Sequence, residues 1–147
     1  MTKRDWRKVF EIGDHVYGLS GSEWAVRGGD GRILLIEANK LDIALLNLLE
    51  HPLANVKSGV EEGLKRLKPL KASPFPYERT VLAGLRSRSE YWIEGALRWL
   101  ESNSDDLLKG EEQFDLLTKI YNDRKRISQK TRHRARKVAR MIGSPDG

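Results

Sequence analysis

The residues whose types and spacing could do chemistry in this chain are cationic, and they lie together. Arg124, Lys125, Arg126, Lys130, Arg132, Arg134, Arg136, Lys137 and Arg140 fall within positions 124–140, a stretch without an acid. Just before it, residues 101–123 hold seven acids against Lys109 and Lys119. A chain of formal charge +6 thus owes its basicity to one short segment. Such a segment is a candidate anion- or nucleic-acid-binding site, because each phosphate neutralised by Lys or Arg releases condensed counterions. On a helix, Ala135, Val138, Ala139 and Ile142 share the inner face. Arg132, Arg136 and Arg140 then line one flank, and Lys130, Arg134 and Lys137 the other, so cations fill the solvent-facing arc. Two features oppose a simple nucleic-acid binder. The acidic stretch next door weakens the field, and no aromatic residue stands between Arg124 and Arg140 to stack a base. The plainer alternative is a solvated helix face paired with those acids.

Other chemistries find no residue set. The chain has no cysteine, which excludes disulfides, thiolate metal sites and thiol nucleophiles. His15, His51 and His133 stand apart, at no metal-ligand spacing. Asp14-His15 lies near Ser20 and Ser22, but closeness in sequence is not triad geometry, and the glycines there read as hairpin turns. Gly28-Gly29-Asp30-Gly31 is followed by a strand and not by Lys-Ser/Thr and a helix, so it is a turn and not a phosphate loop. The pairs Glu61-Glu62 and Glu111-Glu112 point apart on a helix. No catalytic residue, metal or cofactor is expected.

The elements that position these residues divide by period. Val16–Leu19, Glu23–Arg27 and Arg32–Glu37 read as three strands of a small antiparallel meander, joined by glycine turns. A helical turn is expected ahead of them, at Trp6–Phe10. From Leu41 the period becomes helical. Leu41, Ala44, Leu45, Leu48 and Leu49 form one apolar stripe, ended by Pro52. Val56, Val60, Leu64 and Leu67 form a second. The connector Lys71–Pro76 carries two prolines. Val81, Leu82 and Leu85 are paired with Ile93, Ala96, Leu97 and Leu100. After a break at Ser102–Ser104, Phe114, Leu117, Ile120 and Tyr121 precede the basic helix, which ends at Gly143. Pro145–Gly147 reads as a tail.

These stripes form three helix pairs with a common register. Val60, Gly63, Leu64 and Leu67 match Ile93, Ala96, Leu97 and Leu100, and then Ala135, Val138, Ala139 and Ile142, at constant shifts of 33 and 75. Small residues at Gly63 and Ala96 would let paired helices approach closely. With Pro52 in a turn and Lys57 early in the second helix, residues 48–67 resemble HEAT-type helical repeats. The resemblance extends over about residues 41–143. It implies a stacked α-α array presenting a surface to a protein partner.

The expected fold is therefore α+β, mainly α, in a single domain over residues 1–147. An N-terminal β-meander at 1–40 caps a helical repeat-like region at 41–143. No apolar run is long enough to span a bilayer, and the charged N-terminus lacks the apolar stretch of an export signal, so a cytoplasmic protein is expected. Trp92 and Trp99 are candidate partner-binding anchors, with core packing as their default. The leading functional expectation is a non-enzymatic protein-binding module. Nucleic-acid or ribosome binding through residues 124–140 comes second, and an enzyme acting on an anionic substrate third.

Overall fold

The computed structural model describes residues 6–36, 42–102 and 110–142, without the side chains of residues 42 and 43. The expectations for Glu37, Leu41, Asn103–Ser104 and Gly143–Gly147 lie outside the described residues. The architecture is α+β and mainly α. The chain divides into two compact units, Met1–Pro76 and Tyr77–Gly147. The change of period near residue 40 thus falls inside the first unit.

The first unit holds β1 (Trp6–Ile12), β2 (His15–Ser20), β3 (Glu23–Arg27) and β4 (Ile33–Leu35), paired antiparallel in chain order. Gly13 and Gly21 adopt φ of +58° and +65°. They open two-residue turns, between Ile12 and His15 and between Ser20 and Glu23, that fix the register of both hairpins. Trp6–Phe10 is therefore strand and not the helical turn expected. The period-2 signal there is broken by a bulge between Lys8 and Phe10, which leaves consecutive residues Val9 and Phe10 both buried.

After β4 come α1 (Asp42–Leu46), a 3₁₀ turn (Asn47–Glu50) and α2 (Leu53–Arg66). Leu53, Val56, Val60 and Gly63 are the buried face of α2, which packs on β1. A Cβ built on Gly63 would lie 2.2 Å from the Val9 carbonyl oxygen. The small residue at this register thus serves a helix-on-strand approach, not the helix-on-helix approach expected. Arg66 seals the contact, its Nη2 donating to the Val9 carbonyl at 2.7 Å. Phe10 and Tyr17 stack at 5.0 Å, and Phe75 meets Phe10 and Trp24 edge-on. The buried Tyr17 hydroxyl donates to the Ala44 carbonyl at 2.5 Å, and desolvation raises its pKa above the ordinary tyrosine value. The proline connector is pinned here: Ser73 N–H donates to the Ser22 carbonyl at 2.8 Å, and Trp24 Nε1 to the Ser73 carbonyl at 2.7 Å.

The second unit contains α3 (Tyr77–Arg86), α4 (Glu90–Ser102), α5 (Glu111–Tyr121) and α6 (Gln129–Ile142). Helix α3 packs on α4 and α5, and α6 on α4 and α5. Ile93, Ala96, Leu97, Leu100, Leu117, Ala135 and Val138 lie in the core. Trp99 is only 1% exposed, with its ring 6.4 Å from Tyr77. It is a core residue and not a partner-binding anchor. The inner face of α5 is rotated from the expected one. Gln113 takes a core seat beside Leu117 and Ile120, while Phe114 and Tyr121 are half-buried at its borders.

Candidate nucleic-acid interface

Helix α6 is held at its start by hydroxyls. Ser128 caps it, its carbonyl accepting from Arg132 N–H at 3.0 Å and its Oγ from Thr131 N–H at 3.4 Å. Just before the cap, Asp123 closes a turn, its Oδ1 accepting from Arg126 N–H at 3.1 Å and its carbonyl from Ile127 N–H at 3.2 Å. Glu90, the first residue of α4, reaches the same cap. Its carboxylate accepts from Ser128 N–H at 3.1 Å, from the Thr131 hydroxyl at 2.6 Å, and from the Ser128 hydroxyl. The Ser128 hydroxyl, then Thr131 and the Ser128 N–H, hold the Glu90 carboxyl below its ordinary pKa. Thr131 Oγ1 also lies 3.1 Å from Glu94. This clamp sets where α6 begins, and with it the phase of every cation that follows.

Arg134 is the exception among the cations. It grips Glu101 with two nitrogens, Nη2 at 2.7 Å and Nε at 3.2 Å, and its Nη1 lies 4.0 Å from Glu94. The hydrogen bond to Glu101 raises its pKa. Arg134 is therefore held toward α4 at the border of the solvent-facing arc, where it still lines part of the basic face. The rest of the arc keeps its place: Arg124, Lys125, Arg126, Lys130, Arg136, Lys137 and Arg140 are exposed, and Arg132 is half-buried. Arg132 Nε donates to the Ile127 carbonyl at 3.1 Å, which fixes the guanidinium plane and leaves its Nη groups for a ligand.

The acidic stretch opposes this arc less than its charge suggests. Glu101 is turned to Arg134, Glu112 forms an ion pair with Arg86, and Asp123 is committed to its turn. Asp115 and Glu111 remain on the exposed side of α5. Asp105 and Asp106 lie outside the described residues.

Two concavities run along the basic face. The first, about 520 Å³, is lined by Tyr121, Asn122 and Arg124 from the end of α5 and the turn after it, and by Gln129, Arg132, His133 and Arg136 of α6. The second, about 350 Å³, is lined by His133, Arg134, Arg136, Lys137 and Arg140. Among the described residues, no carboxylate lines either one. Tyr121, Asn122 and Gln129 are additions to the sequence reading. Tyr121 closes an apolar stripe and so reads as core, and nothing in the chain brings Asn122 next to Gln129 until the turn folds.

The remaining candidates do not converge. His15 and Ser20 sit at opposite ends of β2, about 17 Å apart at strand rise, so Asp14, His15 and Ser20 form no triad. His15 instead lies 3.4 Å from Asn47 Nδ2. Among the described residues, no group of three His, Asp or Glu side chains is placed to hold a metal ion, and no helix is long and apolar enough to cross a membrane. Trp92 is half-buried, and Tyr91, which is 55% exposed, meets it edge-on at 4.9 Å. Comparison with protein-family models, curated proteins and solved structures returns no match for this chain.

Proposed function

We propose that this protein binds nucleic acid, without catalysis, through the outer face of α6 and the turn before it. The observation that carries this reading is the pair of adjoining concavities lined by cations and free of carboxylates among the described residues. Arg132, Arg136 and Arg140 recur every fourth residue, a stripe of about 12 Å at helical rise. That length matches the axial rise of three to four nucleotides at ~3.4 Å per strand. Pairing Arg134 with Glu101 supports the reading, since it neutralises an acid beside the cationic face.

The test is binding of short labelled DNA and RNA across a salt series, with an Arg136→Gln/Lys137→Gln/Arg140→Gln variant alongside. All three side chains are exposed, so the variant should fold as the wild type does. Binding should persist near physiological salt, and the variant should reduce the log-log salt slope by about 2 to 3, close to one per lost phosphate contact. Weak binding that disappears at modest salt, or an unchanged slope, would reject the proposal.

A second reading, a protein partner held on a helical surface as the HEAT resemblance implies, draws on one observation. Tyr91 and Trp92 present a partly exposed aromatic pair on α4 of the kind that anchors protein interfaces. A Tyr91→Ala/Trp92→Ala variant that loses a co-purifying protein while keeping nucleic-acid binding would favour it.

A further inference from the structure

We infer that the recess at the start of α6 holds a single unpaired nucleotide, so that the ligand is single-stranded nucleic acid. The inference rests on the nucleic-acid reading above and adds which form is bound. A recess of about 520 Å³ falls in the size range of small-ligand sites. A base in a duplex is stacked on both faces and paired at its edge, and enters a recess only when it is flipped out at a cost of a few kcal/mol. An unpaired base enters without that cost.

The lining suits such a base. Asn122 and Gln129 bring side-chain amides, each with donors and an acceptor, to the lining, where they can meet a base edge. Arg132 supplies a guanidinium plane held by its bond to the Ile127 carbonyl. Bases unstacked from RNA loops and single strands lie on such planes as well as on aromatic rings. Because that plane is already fixed, little side-chain entropy is lost when a base settles on it. Arg124 and Arg136, which also line the recess, supply charge for the phosphates flanking that nucleotide. The adjoining concavity at Lys137 and Arg140 takes the continuing backbone. This arrangement replaces the missing run of aromatic residues with arginine and amides.

The test measures anisotropy of labelled ten-nucleotide single strands, DNA and RNA, against a duplex of the same length at one salt concentration. The single strands should bind about tenfold more tightly than the duplex, the scale of one well-seated base. Arg132→Lys keeps the charge and loses the fixed plane. It should lower single-strand affinity about tenfold with the salt slope unchanged. Gln129→Ala, which leaves the Ile127 bond intact, should lower single-strand affinity severalfold and guards against a folding defect in the first variant. A duplex bound as tightly as the single strands, or two silent variants, would overturn the inference while the proposed function stands. If no probe binds at physiological salt, the proposed function falls with it.

Discussion

Replacing Gly63 by alanine tests how closely α2 lies on β1. The added methyl would sit 2.2 Å from the Val9 carbonyl oxygen, 2.5 Å from Val9 Cγ1 and 2.8 Å from the Val9 carbonyl carbon. A carbon and a carbonyl oxygen in contact lie about 3.3 Å apart, so helix and strand must separate by roughly 1 Å. Alanine returns about 1 kcal/mol of helix propensity. Overpacking against backbone costs about 1–3 kcal/mol. Moving α2 away also stretches the Arg66–Val9 hydrogen bond, whose charged donor makes it worth about 1.5–3 kcal/mol. Stretching forfeits about half of that bond, so the net is a loss of about 2 kcal/mol. In a unit of this size that lowers the melting temperature by about 8–16 °C. The assay is thermal unfolding of the full chain by far-ultraviolet circular dichroism, with Gly59→Ala as the control. At Gly59 the nearest atom is Phe10 Cβ at 3.3 Å, which a side chain can accommodate, so that variant should stay within about 1 kcal/mol of wild type. A Gly63→Ala protein that melts at or above wild type would refute the reasoning, because no close approach could then exist.

Two further predictions concern the second unit. Gln113 is buried with neither its Nε2 nor its Oε1 hydrogen-bonded, so Gln113→Met should stabilise by about 1–2 kcal/mol and raise the melting temperature. A fall in melting temperature would show that the amide has a partner. Glu90→Gln should destabilise by about 1–2 kcal/mol near neutral pH, since the carboxylate accepts three hydrogen bonds and an amide oxygen cannot replace both of its atoms. The folded pKa of Glu90 lies below its unfolded value, so its contribution is complete above about pH 4.5 and disappears as pH falls through the folded value. Denaturant melts of the two proteins should therefore converge in acid. A difference that persists unchanged at low pH would exclude the carboxylate as its source.

How much of this molecule can be read from its sequence depends on how local the cause is. The β2–β3 hairpin and the turn before β4 can be read because the glycines that turn them are adjacent to the strands they join. The helices can be read because each carries its own apolar stripe. Strand β1 cannot, since its bulge puts Val9 and Phe10 on the same side and removes the alternation. The inner face of α5 misleads because an apolar residue, Phe114, stands beside Gln113, and sequence hydropathy awards the core seat to the phenylalanine. In the candidate site, the cationic run is plain in the sequence, but the sorting of its members is not. Arg134 is paired with Glu101, 33 positions away, and α6 is fixed by Glu90, 38 positions before Ser128. Neither partnership leaves a local pattern.

The pinned connector decides where the chain can be cut. A segment between compact units is ordinarily the first place a protease acts, because its backbone is free to enter the enzyme's cleft. Here Phe75 is buried among Phe10, Tyr17 and Trp24, and the backbone of Ser73 is hydrogen-bonded on both sides. Cleavage in this stretch must wait for the first unit to open locally, so its rate reads out that unit's stability. The same anchoring fixes how the two halves are to be separated. A fragment that ends before Phe75 gives up a core aromatic of the sheet, whereas one that ends after Pro76 keeps it.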